Sequence, residues 1–246
     1  MPQHGVDDFL DTLSQIGRSG DATAADRVWQ LTTAFFEHHG FDKLIYLDAQ
    51  PGALTMLTTL PAAWIGHYQD NAYARIDPFF SQCCTSFRPV STGVAYADRH
   101  KGLTAAQRTL ICEASEFGIH AGFSSTLRLP GAFGVAGWNI GSSLSGAEVD
   151  ALRADREDAL RLAARHVHDM LICVQGACGA QALSPRETEC LVLLAQGQRT
   201  KDIARTLGLS PAAVELYLRN ARNKLGAATR EQAIAIGFAR GLLSPV

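Results

Sequence analysis

The sequence predicts an α+β protein in which an N-terminal domain, with about five antiparallel strands between layers of helices, precedes a C-terminal all-α domain of four short helices. Amphipathic helices and short strand-like segments alternate through residues 1–174, and four closely spaced helical segments occupy residues 183–246. Residues 175–182 are rich in glycine and alanine, which is typical of a flexible linker. At 246 residues, the chain is long enough for two moderate domains.

Composition and charge indicate a folded protein with one basic domain. Hydrophobic residues make up 47% of the chain and charged residues 19%, as in globular proteins. Residues 183–246 hold nine basic and five acidic residues, which gives a formal charge of +4. Since the whole chain carries a charge of −2, residues 1–182 carry −6. No run of about 18 apolar residues predicts a membrane span, and the acidic N-terminus does not resemble a secretory signal, so we expect a cytoplasmic protein.

The N-terminal elements follow from apolar periodicity and turn residues. In chain order, they are helices at 6–16 and 24–38, strands at 44–49 and 54–60, a short helix from Pro61, a helix from Thr104 to Phe117, strands at 123–129 and 134–140, and a long helix from Ser145 to about Cys173. Pro51-Gly52 and Pro130-Gly131 mark the turns of two expected hairpins. Residues 85–103 are expected to be irregular.

The four C-terminal helices have clear start and stop residues. The predicted starts are Ser184-Pro185, Thr200, Ser210-Pro211 and Thr229, and the predicted ends are Gly197, Gly208, Gly226 and Gly241. Glu187, three residues after Ser184, is placed to complete a capping box. The second helix, a Gly-Leu-Ser turn and the third helix form the helix-turn-helix arrangement that places the later helix in the major groove of DNA.

The third of these helices carries the residues expected to contact DNA. Val214, Leu218, Ala221 and Leu225 share one apolar face. The other faces carry polar and charged residues: Glu215, Arg219, Arg222 and Asn223. Arginine pairs with guanine edges and phosphates, and glutamate accepts from cytosine N4. We also expect Thr200 and Lys201, at the start of the preceding helix, to contact DNA. A merely solvated face is the alternative, and the surrounding helix-turn-helix favours DNA.

No catalytic or metal-binding pattern is present. The sequence contains none of the common nucleophile, nucleotide-binding or zinc-protease motifs, so we do not expect an enzyme or a cofactor. The six cysteines form no C-x-x-C pair. His166, His168 and Cys173 lie on one predicted helix, where residues two apart point in different directions, so a metal site is not expected. Cys83-Cys84 is more typical of reduced thiols than of a redox sensor.

The segment Leu60–Phe80 resembles the wall of a ligand pocket. Trp64 and Tyr68 are four residues apart on one helical face, and Asp77 lies between Ile76 and Pro78. Indole N–H and phenol O–H groups donate, and a carboxylate accepts, so this set suits a small amphiphile with carbonyl and amide groups. The alternative is that both aromatic rings belong to the core and that Asp77 caps a turn.

On these residues, the chain resembles the LuxR-type quorum-sensing transcription regulators over nearly its whole length. The tract from Leu183 to Leu243 matches the family's helix-turn-helix pattern, and the segments Trp64–Tyr68 and Tyr73–Pro78 match its W-x-x-x-Y and Y-x-x-x-D-P motifs. The resemblance implies an N-terminal α/β/α sandwich that binds an N-acyl-homoserine lactone.

The resemblance also implies roles in the pocket. Trp64 would donate to the lactone carbonyl, Asp77 would accept the amide N–H, and Tyr68 would line the acyl chain or bond its first carbonyl. Gly122 and Ser124 stand where the family has a glycine and a nearby hydroxyl, and Ser124 would assist.

Several positions depart from the family pattern. Leu60 and Thr92 stand where many members have a tyrosine and a tryptophan, which predicts an altered ligand, a larger one, or none. Trp138 is expected to refill part of the lost volume. In the DNA domain, the departures are Ala213 for threonine, Tyr217 for histidine, and Glu215 for lysine, asparagine or arginine. Arg219 keeps a position used for base contacts in relatives, so a shifted DNA specificity is expected.

The combined expectation is a ligand-responsive DNA-binding transcription factor that regulates quorum-sensing genes as a homodimer on an inverted-repeat operator. Apolar surface on the helix Ser145–Cys173 and on residues 230–240 is expected to form the dimer contacts. Ligand burial would complete the sensory core and support dimerisation. Two alternatives stay open: a regulator that responds to another small molecule or to none, and an N-terminal protein-interaction module. A phospho-accepting receiver domain is disfavoured, because Asp48 is the single acidic residue near a strand end.

Overall fold

The computed structural model describes residues 5–19, 21–50, 53–83, 85–131, 134–179, 183–239 and 242–243. The chain forms two compact units, residues 1–173 and residues 174–246. The predicted α+β class is confirmed, since the described part of the first unit combines helices with an antiparallel sheet and that of the second unit is helical.

The sheet of the first unit has five strands among the described residues, in the order β2-β1-β5-β4-β3, and every neighbouring pair is antiparallel. The strands are β1 Lys43–Gln50, β2 Ala53–Thr58, β3 Ser91–Thr92, β4 Ala121–Gly131 and β5 Gly134–Ser142. The short β3 lies in a segment predicted to be irregular. The turn residues Pro51-Gly52 lie outside the described part, and Pro130 belongs to β4 beside a register shift, where a proline is tolerated.

Helices flank the sheet and build the second unit. In the first unit they are α1 Val6–Arg18, α2 Ala24–His38, α3 Ala62–Asp70, α4 Pro78–Cys83 and α5 Ala105–Glu116, with 3₁₀ turns at Tyr73–Arg75 and Val94–Arg99. The long helix α6 Gly146–Gly179 begins in the first unit, and its residues from 174 onward belong to the second. In the second unit they are α7 Pro185–Ala195, α8 Thr200–Leu207, α9 Pro211–Leu225 and α10 Arg230–Ala239. In the described part of the chain, no helix is long and apolar enough to cross a bilayer.

The two faces of the sheet have different partners, because successive side chains of a strand point to opposite sides. On one face, the Tyr46 hydroxyl lies 2.8 Å from Nδ1 of His168 in α6, and the Trp138 indole N–H donates to the Ala164 carbonyl at 3.1 Å. On the other face, Ile45 packs against a cluster that contains Trp64 of α3. The sheet is therefore packed between helices, with α3 on the face opposite α6.

The long helix α6 corrects the predicted linker. It continues past Cys173 to Gly179, so residues 175–179 are helical, and residues 180–182 lie outside the described part. Two glycines lower helix propensity by about 1 kcal/mol each, but each further residue adds a backbone hydrogen bond to an existing helix. Within α6, His166 is exposed while His168 is buried, and the described residues contain no metal-ligating cluster. The Cys83-Cys84 side chains lie outside the described part.

The core of the second unit confirms the apolar stripe predicted for α9. Val214, Leu218, Ala221 and Leu225 are all buried. Ser210 caps α9 by accepting from the backbone N–H of Ala213 at 3.1 Å. Gly208 and Gly226 follow α8 and α9 with φ of 65° and 67°, a left-handed conformation that favours glycine. These caps fix both ends of the helix that carries the expected DNA contacts.

An ion pair between buried Glu187 and half-buried Lys224 ties α7 to α9. The Glu187 carboxylate accepts from the Ser184 backbone N–H at 2.6 Å, completing the predicted capping box, and from Lys224 Nζ at 2.8 Å. Burial opposes ionisation of Glu187, but the bonds from Lys224 and Ser184 outweigh it and hold its pKa below the ordinary 4.5. The ionised carboxylate therefore stabilises the fold.

We predict that this contribution depends on pH. Since the folded pKa of Glu187 is depressed, the stabilisation is present above the unfolded value of 4.5 and is lost as the pH falls through the folded value. Glu187→Gln keeps an oxygen for the cap and should cost about 1–2 kcal/mol at neutral pH. Amide hydrogen exchange in α7 and α9 of the full chain measures this cost. Equal protection of both proteins at pH 7 would contradict the prediction.

Candidate ligand pocket and nucleic-acid interface

A cavity of about 590 Å³ lies in the first unit between the sheet and the segment that carries α3 and α4. Its size falls within the range of small-molecule sites, about 300–1,000 Å³. Much of the wall is apolar and includes Ile45, Leu47, Ala49, Leu54, Met56, Leu60, Ile65, Phe79 and Phe80. The predicted site residues Trp64, Tyr68 and Asp77 also line it. The structure therefore brings the aromatic and acidic residues of the sequence motif together around one cavity.

Trp64 supplies a hydrogen-bond donor to this cavity. Its side chain is buried, and its ring packs against Phe117 and Tyr68 with centroids 5.1 and 6.0 Å apart. Within the described residues, its indole N–H donates to no protein acceptor. An indole N–H donates and does not accept, so this group is suited to a carbonyl oxygen of a ligand.

Asp77 caps a helix and borders the cavity at the same time. Its Oδ1 accepts the backbone N–H groups of Phe79 and Phe80 at 2.8 and 3.2 Å, at the start of α4. Its Oδ2 accepts the Tyr68 hydroxyl at 2.9 Å. Asp77 can therefore both cap a turn and contact a ligand, since one oxygen holds the turn and the other lies beside Tyr68.

Burial sets the protonation of this pair. Burial raises the pKa of Asp77, although the bonds from Tyr68 and from the two backbone N–H groups oppose the rise. Burial and the Asp77 carboxylate raise the pKa of Tyr68, so its hydroxyl remains a donor. A further donor from a ligand amide would favour the ionised carboxylate, because hydrogen bonds to the charged form lower a pKa.

Ser124 and Gly122 lie beside the cavity and not on its wall. The Ser124 hydroxyl accepts the backbone N–H of Val90 at 3.0 Å, so it already holds the segment that leads into β3. A Cβ on Gly122 would lie 2.6 Å from the Ile140 carbonyl, which explains the glycine by the close approach of two strands. Both positions have a structural explanation here.

Sequence reasoning missed Asn139, which borders the cavity from β5. Thr92 is fully buried, and its hydroxyl donates to Asn139 Oδ1 at 2.8 Å, which fixes the side-chain amide. Among the described residues, the Asn139 amide nitrogen has no acceptor. Strand alternation places Asn139 on the same face as Gly137, and the structure shows that this face borders the cavity.

The expectation that Trp138 refills the cavity is wrong. Trp138 borders the cavity, but its ring lies on the opposite face, stacked on Trp29 and Phe36 of α2 with centroids 6.1 Å apart in each pair. Its neighbours Gly137 and Asn139 face the cavity, so alternation directs the indole away. Leu60, in contrast, is buried and lines the cavity as expected.

In the second unit, one side of α9 is open to solvent. Glu215, Leu216, Arg219 and Asn223 are exposed, and Arg222 is half-buried. Arg219 and Arg222 line a shallow concave surface that extends to Arg230 at the start of α10. Lys201, on α8, is also exposed. The predicted DNA-contacting arginines therefore lie together on one accessible surface.

Glu215 and Thr200 are engaged with each other. The Thr200 hydroxyl donates to Glu215 Oε1 at 2.9 Å, and Arg230 pairs with Glu215 Oε2. Thr200 is the first residue of α8 and not its cap, because Arg199 occupies the capping position without a side-chain bond, which corrects the predicted start. The Glu215 carboxylate thus connects α8, α9 and α10.

Comparison with known proteins identifies the two units. Residues 24–171 match the autoinducer binding domain, and residues 181–236 match the bacterial regulatory proteins of the luxR family. The transcriptional activator protein BjaR1 of Bradyrhizobium diazoefficiens is 26% identical over 97% of this chain and 96% of its own. The transcriptional activator protein RaiR of Rhizobium etli is 30% identical over 72% of each chain.

The fold also matches a solved structure. A crystal structure of SdiA from Escherichia coli superposes with a TM-score of 0.65 over 96% of this chain and 98% of that one, at 19% identity. This likeness concerns the fold alone, whereas the two family matches cover most of the sequence. The chain therefore belongs to the LuxR-type quorum-sensing transcription regulators, which are not enzymes, and it combines an autoinducer-binding domain with a DNA-binding domain.

Proposed function

We propose that the autoinducer is an N-acyl-homoserine lactone, bound with its ring and amide beside Trp64 and Asp77 and its acyl chain along the aliphatic wall. The observation that carries the proposal is the pairing of an unengaged indole N–H with a carboxylate at a cavity that is otherwise largely apolar. A lactone carbonyl accepts from the indole, and an amide N–H donates to the carboxylate. Leu47, Leu54 and Met56 offer apolar contacts to the chain.

We further propose that the protein binds an inverted-repeat operator as a homodimer. One helix-turn-helix contacts one half-site, and a two-fold axis places a second copy of α9 on the other. Arg219 and Arg222 are proposed to contact bases and phosphates, with Asn223 on the same surface and Lys201 and Thr200 near the backbone. We propose that Glu215 positions Thr200 and Arg230, because both of its oxygens are already engaged. Leu162 of α6 is 49% exposed and is proposed to lie in the dimer contact.

A second candidate is a regulator that responds to another small molecule or binds DNA without ligand. Leu60 favours it, because a leucine at the cavity wall supplies no polar group. Thr92 favours it as well, since its hydroxyl donates its proton to Asn139 and the residue is fully buried and does not line the cavity. The identity of the ligand therefore decides between the two candidates.

Thermal unfolding with acyl-homoserine lactones of increasing chain length tests the proposal. A ligand at 100 times its Kd adds about 2.7 kcal/mol, which raises the Tm of a chain of this size by roughly 5–10 °C. Homoserine lactone without an acyl chain and fatty acids without a lactone serve as controls. No shift with any acyl-homoserine lactone, together with ligand-independent operator binding, would favour the second candidate.

We predict that Trp64→Phe weakens binding about tenfold for every active chain length. The variant removes the indole N–H but keeps most of the aromatic packing, so the loss corresponds to one hydrogen bond of roughly 1–1.5 kcal/mol. The ranking of chain lengths should remain that of the native protein, because the aliphatic wall is unchanged. Calorimetric titration measures both quantities. A changed ranking with unchanged affinity for the best ligand would place Trp64 at the acyl chain.

A further inference from the structure

The exposed surface of α9 carries an unexpected apolar residue. Leu216 is 45% exposed, although the helix is otherwise divided into a buried apolar stripe and a polar side. With Ala212, Arg219 and Asn223 it recurs at i, i+4, i+7 and i+11, which forms a single line along the helix. At 100° per residue, this line lies roughly opposite the buried stripe. Leu216 therefore occupies the part of the helix farthest from the core and contributes nothing to it.

The surroundings of Leu216 decide what it can contact. Arg219 and Arg222 line the same concave surface, together with the Glu215–Arg230 pair. Because arginines surround Leu216 on this surface, the surface is better suited to bind a polyanion than an apolar protein. In the major groove of DNA, base edges present hydrogen-bonding groups, and the apolar group is the C5 methyl of thymine.

We propose that Leu216 contacts a thymine methyl group and specifies thymine within two base pairs of the base contacted by Arg219. Side chains three apart on a helix are about 5–6 Å apart, and base pairs are stacked about 3.4 Å apart, which sets this spacing. The inference rests on the proposed use of α9 as the DNA-contacting helix and adds a residue that determines specificity.

The test uses the full chain and the duplex site that it selects from a random library in the presence of an active acyl-homoserine lactone, or without ligand if none is active. Each thymine of that site is replaced in turn by deoxyuridine, which removes the methyl group and leaves every hydrogen-bonding group in place. The native protein should lose about fourfold in affinity per half-site at one thymine, the equivalent of ~0.8 kcal/mol for one buried methyl group. In Leu216→Ala the same replacement should change affinity less than about 1.5-fold.

A matched variant controls for the general loss of an exposed leucine. Leu242 is 42% exposed and lies outside α9, so Leu242→Ala should keep the full penalty for deoxyuridine. The proposal is overturned if no thymine shows a penalty with the native protein, or if Leu216→Ala shows the native penalty. A native chain that selects no site would refute the proposed use of α9 as well, whereas selection that depends on Arg219 without any deoxyuridine effect refutes the Leu216 contact alone.

Discussion

Asp77→Asn is expected to weaken acyl-homoserine lactone binding by roughly 10- to 150-fold, the loss that accompanies removal of a hydrogen bond to a charged group. The asparagine oxygen can still cap α4 through the Phe79 and Phe80 N–H groups, as Asp77 Oδ1 does. The side-chain NH₂ then replaces Oδ2 beside Tyr68 and meets the ligand amide as a second donor. Calorimetric titration of the native and variant proteins measures the difference.

The stability of the ligand-free variant separates this effect from misfolding. Because burial raises the pKa of Asp77, its protonated form stabilises the fold below the unfolded value of 3.8, and that contribution is lost as the pH rises through the folded value. At neutral pH the buried carboxylate is therefore a cost, which asparagine removes. Ligand-free Asp77→Asn should unfold at the native temperature or above it, while the shift on adding the same concentration of ligand becomes clearly smaller than that of the native protein. Retention of native affinity would refute the proposed role of Asp77.

Lactone affinity of the native protein should depend on pH, because the pKa of the buried Asp77 carboxyl is raised. The ligand amide N–H favours ionised Asp77, so binding should weaken as the pH falls through the raised pKa of the ligand-free carboxyl. Titrations from neutral to mildly acidic pH measure this dependence. The Asp77→Asn variant lacks the titrating group and should show a flat profile over the same range.

Local patterns predicted much of this architecture, because helix periodicity, capping residues and hairpin signals act over a few neighbouring residues. The α9 stripe and the Ser184–Glu187 capping box are such cases. The strand β3 could not be predicted this way, since two residues become a strand through pairing with β4 about 30 positions away. The end of α6 was also missed, because the glycines after Cys173 predicted a linker whereas the helix continues through them to Gly179.

The motif residues of the pocket, Trp64, Tyr68 and Asp77, could be predicted from the sequence, but the other residues of its wall could not. Sequence alternation states that Trp138 and Asn139 point to opposite faces, but it does not state which face holds the cavity. That choice follows from the pairing of β5 with β1, which sets Trp138 beside Tyr46 and Asn139 beside Ile45. Glu215 shows the same limit in the second unit, because both of its partners lie 15 residues away along the chain.

Arg219→Ala is expected to weaken operator binding by roughly 5- to 150-fold and to relax the base preference at one position of each half-site. Arg219 is exposed on α9 and forms no ion pair within the described residues, so its guanidinium is available to a guanine edge. Quantitative binding to an operator series with single base changes measures both effects.

Two further variants separate base contact from charge. Arg219→Lys keeps the positive charge but loses the planar pair of donors, so it should recover affinity for unrelated DNA and not the base preference. Arg205→Ala removes the same charge from α8, where Arg205 pairs with Asp202 at 2.8 Å, and should weaken binding to all sequences alike. If Arg219→Ala keeps the native preference at every position, then Arg219 contacts phosphate alone, and the bases are recognised by other residues of the exposed α9 surface.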